Sequence, residues 1–328
     1  MKKKIIISLS ILVILIGGFI VFKKNTKDNN LTEIKVAEVT HSVFYAPLYV
    51  ALEEGYFEKY GLDVNLILTP GADKVSAAVL SNDVQIGFCG PESSIYVYTG
   101  GEKDYIQSFA GLTKRDGQFI VSRKKIEDFK LTDLIQAEVL VGRSGGMPAL
   151  NFENALINND IDVNDVDMNT SVEFAALSGS FIGGQGDFVN LFEPNATALE
   201  REGYGHVVAS VGMLSGEVPY TAFNARKSYI INNKEIITNF TKAINEGLKF
   251  VLKNDSKTIA NAIIDQFPDS SLNDVEVIVQ RYKESDSWLE SPYISEKSYE
   301  NLEDIMINAN LLDDYVPYND LINNFYNE

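Results

Sequence analysis

The chain has few of the residues that build metal sites and covalent cross-links. It contains one cysteine, Cys89, and two histidines, His41 and His206, among 328 residues. A single cysteine cannot form an internal disulfide, and a structural zinc site takes about four Cys or His ligands. We therefore predict no disulfide scaffold, no metal site of this kind and no cofactor.

Basic residues are also scarce. The chain has 28 Lys and Arg against 46 Asp and Glu, which gives a formal net charge of −18 and a pI of about 4.6. Nucleic acid is bound through a basic face, so this composition argues against a nucleic-acid partner. A net negative surface confers solubility and does not identify a ligand.

A long apolar run lies near the N-terminus. It extends from Ile5 to Phe22, is interrupted only by serine and glycine, and is bounded by lysines on both sides. About 18 apolar residues can cross a bilayer, whereas a cleaved signal peptide has a shorter core followed by a small-residue cleavage site. No Ala-x-Ala pattern and no lipid-anchor cysteine follow. We expect residues 1–30 to be an uncleaved signal-anchor and linker that holds the rest at the extracellular face of the cell membrane. If the run is cleaved, the protein is secreted.

Strand and helix signals then alternate in two separate units. Alternating polarity indicates strands, and longer amphipathic runs indicate helices between them. Such alternation is typical of parallel strands with helical crossovers. The chain from Asn233 onward is predicted to be almost entirely helical. The predicted strands cover residues 34–39, 62–68, 84–88 and 105–112 in the first unit, and 138–142, 167–170, 187–191 and 206–211 in the second.

Two extended segments connect these units. Gly117 to Arg123 and Tyr220 to Lys227 are candidates for a pair of crossing strands. The predicted fold is therefore α/β, with two lobes that each hold a mixed sheet flanked by helices. Lobe 1 comprises residues 31–116 and 218–328, and lobe 2 comprises residues 117–217. A hinge between two lobes predicts a ligand cleft that closes around a small molecule.

One stretch of the first unit carries a family resemblance. Its sequence is Tyr-Ala-Pro-Leu-Tyr-Val-Ala at 45–51, followed by Glu-Gly-Tyr-Phe-Glu-Lys-Tyr-Gly-Leu-Asp-Val at 54–64. Gly71-Ala72, the segment 83–87, Gly90-Pro91, the segment 186–188 and the segment 192–194 fit the elements that follow. The chain resembles the binding proteins of ABC importers for nitrate, sulfonates, taurine and thiamine precursors.

The resemblance implies a type II periplasmic-binding-protein fold and a function without chemistry. A monomeric protein would capture a small solute and deliver it to a membrane permease that a cytoplasmic ATPase drives. Both a sulfonate-like anion and a thiamine-precursor-like heteroaromatic remain open as ligands. An anion suits Arg143 and its glycine loop, whereas a heteroaromatic suits the tyrosines and Glu193.

Candidate ligand contacts lie on loops that follow strand ends. Ligands of open α/β sheets bind outside the carboxyl ends of the strands, and the resemblance implies the same loops. Aromatic side chains there could stack on a planar ligand, and carboxylates could accept hydrogen bonds. The predicted ligand-binding residues are His41, Ser42, Phe44, Tyr45, Cys89, Gly90, Glu92, Arg143, Ser144, Gly145, Gly146, Met147, Asp187, Phe188 and Glu193.

Several of these residues also have structural interpretations. Glu92 and Glu193 could complement the N-terminal dipole of a helix, Phe188 and Cys89 could be core residues, and His41 could be a polar turn residue.

An enzymatic alternative arises from the loop at 142–146. Gly-Arg-Ser-Gly-Gly matches the Gly-x-Ser-x-Gly nucleophile elbow, and Asp187 and His206 follow in the order found in α/β hydrolases. This alternative requires the histidine to lie beside Ser144, yet His206 falls in or next to a predicted strand. The two functions therefore predict different positions for His206.

Overall fold

The structure, a computed structural model, describes residues 31–324. The features below lie within the unit Glu33–Glu328, apart from the first residue of strand β1. Ten strands form two sheets of five strands each. The strands are β1 Thr32–Glu38, β2 Leu62–Leu68, β3 Ile86–Cys89, β4 Ile106–Thr113, β5 Phe119–Ser122, β6 Glu138–Leu140, β7 Asp167–Asn169, β8 Phe188–Leu191, β9 His206–Ser210 and β10 Thr221–Arg226.

The first sheet is mixed. Its strand order is β2-β1-β3-β10-β4. Strands β1 and β3 are parallel, with Val36 beside Ile86, while β10 runs antiparallel to both β3 and β4. Every residue of β3 and β4 is buried, as expected for strands that are covered on both faces.

The second sheet repeats this arrangement. Its order is β7-β6-β8-β5-β9, with β6 parallel to β7 and β8, and β5 antiparallel to β8 and β9. In each sheet, the strand that arrives from the other sheet is the antiparallel one. Both extended connecting segments of the sequence are therefore strands, β5 and β10. The chain passes between the sheets at residues 114–118 and 211–220.

Helices flank both sheets, and the chain from Lys227 onward is mainly helical among the described residues. Helix Lys234–Lys253 packs on helix Ala46–Glu53 so closely that a Cβ atom at Gly247 would lie 2.1 Å from the Pro47 carbonyl oxygen. The α-helices are Ala46–Glu53, Tyr56–Lys59, Ala72–Leu80, Glu92–Thr99, Met147–Ile157, Leu177–Ile182, Asn195–Arg201, Val211–Ser215, Lys227–Asn232, Lys234–Lys253, Ser256–Ile263, Leu272–Glu284, Glu296–Asn308 and Tyr318–Leu321.

The C-terminal segment returns to the first sheet. The Trp288 indole donates to the Phe44 carbonyl oxygen at 2.8 Å, and Thr113 at the end of β4 forms an isolated bridge with Trp288. Trp288 therefore anchors this segment against the first sheet, since its side chain is 2% exposed.

No helix within residues 31–324 is long and apolar enough to cross a membrane. The predicted signal-anchor lies outside the residues that the structure describes. In the same part of the chain, no three His, Cys, Asp or Glu side chains are grouped as metal ligands.

Candidate functional site

In each sheet, two parallel strands end at the same edge, and these two edges meet at one junction. In the first sheet, the loops after β1 and β3 leave the same edge because these strands are parallel. In the second sheet, the same holds for the loops after β6 and β8. Contacts join the two edges directly, since the Ser42 hydroxyl donates to the Glu193 carbonyl oxygen at 2.6 Å. We call this region the interlobe junction.

Two further contacts close the rim of the junction. The Tyr96 hydroxyl donates to the Gly145 carbonyl oxygen at 3.2 Å, and an Arg143 Nη2 lies 3.4 Å from Asp73 Oδ1. Both Arg143 and Asp73 side chains are 61% exposed. An ion pair this exposed contributes about 0–1 kcal/mol. Arg143 therefore lies at the outside of the junction.

Aromatic side chains fill the centre. Phe44 is fully buried, and its ring centroid lies 5.6 Å from Phe192, 5.8 Å from Tyr220 and 5.1 Å from Tyr282. Tyr45 packs edge-on against Phe88 at 4.5 Å. These rings belong to segments of both sheets and to helix Leu272–Glu284, and they pack against one another as an aromatic cluster at the junction.

Buried polar side chains lie on the same strands and loops. Glu92 Oε2, Asn151 Oδ1 and both side-chain polar atoms of Asn190 have no hydrogen-bond partner, whereas the buried Tyr220 hydroxyl faces Asp116 and the buried Thr221 hydroxyl faces Tyr45. Buried polar groups in native proteins nearly always have a partner, and leaving one unpaired costs about 1–3 kcal/mol. We call these five residues the polar set. Their unpaired atoms are the donors and acceptors that a bound solute could satisfy.

Glu92 is the member of the polar set that carries a carboxyl group. It is the first residue of helix Glu92–Thr99, directly after β3, and is 4% exposed. Burial raises the pKa of Glu92 to about 7, and only the backbone N–H groups of Glu92 and Ser93 lower it. The charge on Glu92 also acts on the Tyr45, Tyr96 and Tyr220 hydroxyls, which places these groups near the carboxylate.

Asp116 is a second buried carboxyl group, in the segment that connects the sheets. It is 1% exposed, and the Gln118 N–H donates to its Oδ1 at 2.6 Å. Burial raises the pKa of Asp116 well above its usual value, and its charge acts on Tyr220. When the side-chain amide of Gln118 is oriented with its oxygen and nitrogen exchanged, the nitrogen donates to Asp116 Oδ2 and to the Pro148 carbonyl oxygen. These contacts connect the polar groups of the two lobes.

Glu193 joins the second sheet to the C-terminal helices. Its carboxylate is fully buried, lies 2.8 Å from Arg281 Nη1, and accepts from the Thr197 N–H and hydroxyl at 2.8 and 2.9 Å. The Arg281 guanidinium also pairs with Glu200. The Tyr282 hydroxyl accepts from the Glu193 N–H and donates to the Gly117 carbonyl oxygen, both at 3.1 Å. The carboxylate of Glu193 is thus occupied by internal partners.

His41 is held by internal partners as well. Its Nδ1 lies 2.8 Å from Glu38 Oε1 and its Nε2 lies 2.9 Å from the Gln266 carbonyl oxygen. The hydrogen bond to Glu38 raises the pKa of His41. The imidazole therefore connects the loop after β1 to the C-terminal segment.

The remaining residues predicted from the strand-end loops divide by burial. Cys89 is buried at the end of β3, with its Sγ 3.3 Å from the Ser93 hydroxyl, and burial raises its pKa to about 12. Met147, at the start of helix Met147–Ile157, is also buried. Gly90 lies under the Glu92 carboxylate. Ser144 is exposed, and Gly145 and Gly146 are half-buried at the rim.

Asp187 and Phe188 lie at the opposite edge of the second sheet. The Asp187 N–H donates to the carbonyl oxygen of Glu138, the first residue of β6, at 2.8 Å. Phe188 is the first residue of β8 and packs in the core of the second lobe. The sequence pattern grouped Asp187 with the loop that follows β8, but β8 lies between them. Neither residue is at the interlobe junction.

The same topology separates the residues of the hydrolase alternative. His206 pairs with Ser122, which also pairs with Phe188, so His206 lies at the Asp187 edge. Ser144 follows the other end of β6. At about 3.3 Å per residue, the three-residue strand and the residues after it separate these edges by roughly 10 Å, and a triad needs contacts of about 3 Å. The structure does not bring Ser144, Asp187 and His206 together.

Four members of the polar set lie outside the sequence-predicted site: Asn151, Asn190, Tyr220 and Thr221. Asn190 belongs to the run Phe188-Val189-Asn190-Leu191, which the sequence identifies only as a strand. Asparagine is uncommon in strands, so a buried one signals a special environment. That signal was present in the sequence, whereas the position of Thr221 depends on the pairing of β10 with β3 and β4.

Comparisons with known proteins bear on this architecture. A family model described as NMT1/THI5 like matches residues 43–258. The chain is 43% identical over 298 residues to YtlA of Bacillus subtilis (strain 168), whose name gives it a proposed role as a binding protein. That alignment covers 90% of this chain and 89% of YtlA.

Solved structures share the fold at low identity. The ligand binding component of an ABC-type import system from Staphylococcus aureus aligns with a TM-score of 0.72 at 14% identity, covering 90% of this chain and 98% of that one. The periplasmic aliphatic sulphonate binding protein SsuA from Escherichia coli aligns with a TM-score of 0.68 at 14% identity, covering 90% and 99%. The predicted fold, with two mixed sheets flanked by helices, is confirmed.

Proposed function

Because the chain belongs to the NMT1/THI5-like family, we propose that it is the solute-binding component of an ABC-type importer. A small organic solute enters between the lobes, the lobes close over it, and the closed protein docks on a permease that an ATPase drives. The observation that carries this proposal is the polar set, in which unpaired buried atoms of Glu92, directly after β3, and of Asn190, in β8, belong to segments of both sheets. Hinge closure around a ligand is typical of such two-lobed proteins.

The lobes of this proposal are residues 31–116 with 218–328, and residues 117–217. Residues 1–30 anchor the protein at the extracellular face of the membrane, and the protein acts as a monomer. Two ligand classes are implied by the family resemblance, a sulfonate-like anion and a thiamine-precursor-like heteroaromatic. The aromatic rings of the junction favour a planar solute.

Small-angle scattering tests solute capture. The protein is first freed of small molecules by unfolding, dialysis and refolding, and is then mixed with the dialysable fraction of an extract of its own host. We expect the radius of gyration to fall when the extract is added, because a bound solute favours the closed form. An unchanged radius at every extract concentration would contradict solute capture.

A serine-reactive phosphonate tests the enzymatic alternative. A hydrolase with a nucleophilic Ser144 would be labelled once per chain, and His206→Ala would abolish the labelling. We expect no labelling, since Ser144 and His206 lie at opposite edges of the second sheet. Stoichiometric labelling that is lost in both Ser144→Ala and His206→Ala would instead identify a hydrolase.

A further inference from the structure

We infer that the solute taken into the interlobe junction presents a cationic or N–H-donating nitrogen group to Glu92, and not an anionic headgroup. This inference rests on the proposed function, because it concerns the ligand of that same site. It selects between ligand classes that the sequence leaves open, and it differs from the ligand named for the sulphonate-binding structural neighbour.

The first step is the state of the Glu92 carboxyl group. Its Oε2 is buried and has no hydrogen-bond partner within residues 31–324. Its charge acts on the side chains of Tyr45, Cys89, Tyr96 and Tyr220, none of which is a cation. A carboxyl group in this position can accept a hydrogen bond from a ligand, and can neutralise a ligand cation.

The second step is where the cations are. Arg143 is at the exposed rim with Asp73, and Arg281 is held by Glu193 and Glu200. Lys114 and Arg115, which follow β4, pair with the surface carboxylates of Asp286 and Glu217. Each of these guanidinium and ammonium groups thus has an acidic partner, although Arg115 Nε itself is buried without one. No basic side chain contributes to the pKa of Glu92 or of Asp116.

The third step is the cost of an anion at this place. A buried sulfonate needs charge-assisted donors, which Arg or Lys side chains usually provide. Here it would lie close to a buried carboxyl group. Two like charges 4 Å apart repel by about 4 kcal/mol at the effective dielectric of a partly solvated protein site. An anion could bind only if Glu92 remained protonated, whereas a cation or N–H donor gains a partner.

The other buried polar atoms define the rest of the ligand. Asn190 offers an unpaired NH2 group and an unpaired carbonyl oxygen, and the Tyr220 and Thr221 hydroxyls, which face Asp116 and Tyr45, retain further hydrogen-bonding capacity. Phe44 and Phe192, whose ring centroids are 5.6 Å apart, form an apolar aromatic surface at the junction. A flat, nitrogen-containing solute matches this combination better than an aliphatic acid does.

Two probes with the same ring and opposite charges test the inference. Benzamidine carries a planar amidinium cation, and benzenesulfonate carries an anion on the same ring. Each is titrated by calorimetry into the full chain and into the variants Glu92→Gln and Glu303→Gln. Glu303 is the matched control, since it is also a buried glutamate but lies on helix Glu296–Asn308, where it accepts from the Val316 N–H.

We expect benzamidine to bind the wild-type protein at least tenfold more tightly than benzenesulfonate, about 1.4 kcal/mol. Glu92→Gln should weaken benzamidine binding by tenfold or more, while Glu303→Gln leaves it unchanged. Circular dichroism confirms that each variant is folded. Tighter binding of benzenesulfonate, or equal benzamidine affinity in wild type and Glu92→Gln, would overturn the inference but leave solute capture intact.

If neither probe binds, the protein is purified from its own host and unfolded, and the small molecule that it releases is identified. A released solute with a cationic or N–H-donating nitrogen supports the inference, and a released anion overturns it. If no small molecule is released and the scattering radius does not respond to the host extract, the proposed function itself fails.

Discussion

At the scale of single residues, Glu92 combines a buried position with a carboxylate oxygen, Oε2, that has no partner within the described residues. The folded protein binds a proton at Glu92 more strongly than the unfolded chain does, because burial raises the pKa from 4.5 to about 7. A raised carboxyl pKa means that the group destabilises the fold progressively as the pH rises from the unfolded value through the folded one. Such a destabilised group is typical of a functional site.

The first prediction follows from the upward direction of this pKa shift. At pH 8 without ligand, Glu92→Gln should be more stable than the wild type by on the order of 3 kcal/mol, at 1.36 kcal/mol per pKa unit. The difference should diminish as the pH falls toward 4.5 and vanish well below it, where the wild-type carboxyl group is protonated in both states. Urea unfolding at several pH values measures it. A variant that is less stable than the wild type at pH 8 would show that the Glu92 carboxylate is satisfied by internal partners.

The second prediction concerns the buried ion pair of Glu193 and Arg281. Arg281→Ala leaves the fully buried Glu193 carboxylate without its cation, so the free energy of unfolding should fall by about 3 kcal/mol, the lower end for a broken buried pair. Arg201→Ala is the control, because Arg201 is 55% exposed in its pair with Asp274. Its loss should cost about 0–1 kcal/mol. Equal losses in the two variants would show that burial does not determine the strength of these pairs.

At the scale of elements, the sequence predicts which segments are strands and helices better than it predicts how they pair. The alternation in β1 and β2 and the extended segments at β5 and β10 were sufficient to find these strands. Periodicity does not specify partners, so the antiparallel insertion of β10 between β3 and β4 was not visible.

The candidate site shows the same difference between local sequence features and contacts between distant segments. The sequence predicts Glu92 as a candidate because it follows a strand end, which is a local feature, and the structure places it there. Asp187 was assigned to the wrong edge because one strand separates it from the loop that follows. Asn190 and Thr221 were missed because their position at the junction depends on contacts between distant segments.

The third prediction tests the contact between two helices. Gly247→Ala places a methyl group 2.1 Å from the Pro47 carbonyl oxygen, so helices Lys234–Lys253 and Ala46–Glu53 must move apart and the protein should lose about 1–3 kcal/mol, as in overpacked cores. Gly179→Ala is the control, because a Cβ atom there meets nothing within 4 Å on helix Leu177–Ile182. It should raise stability by about 0.5–1 kcal/mol. Urea unfolding measures both, and a neutral Gly247→Ala would contradict the close helix contact.

At the scale of the whole molecule, the chain passes between the sheets twice, and each passage lies close to the junction. Asp116 and Gln118 belong to one passage, and Tyr220 belongs to the other. The segments that must bend when the lobes open thus carry polar groups that the solute would contact. Solute binding and lobe closure are expected to be coupled for this reason.

Native mass spectrometry of the full chain purified from its own host tests the central claim most directly, because it weighs protein and solute together. We predict one small molecule per chain in the wild-type protein and its loss in Glu92→Gln, with no loss in Glu303→Gln. A wild-type protein that carries no small molecule, and takes none up from the host extract, would contradict the account.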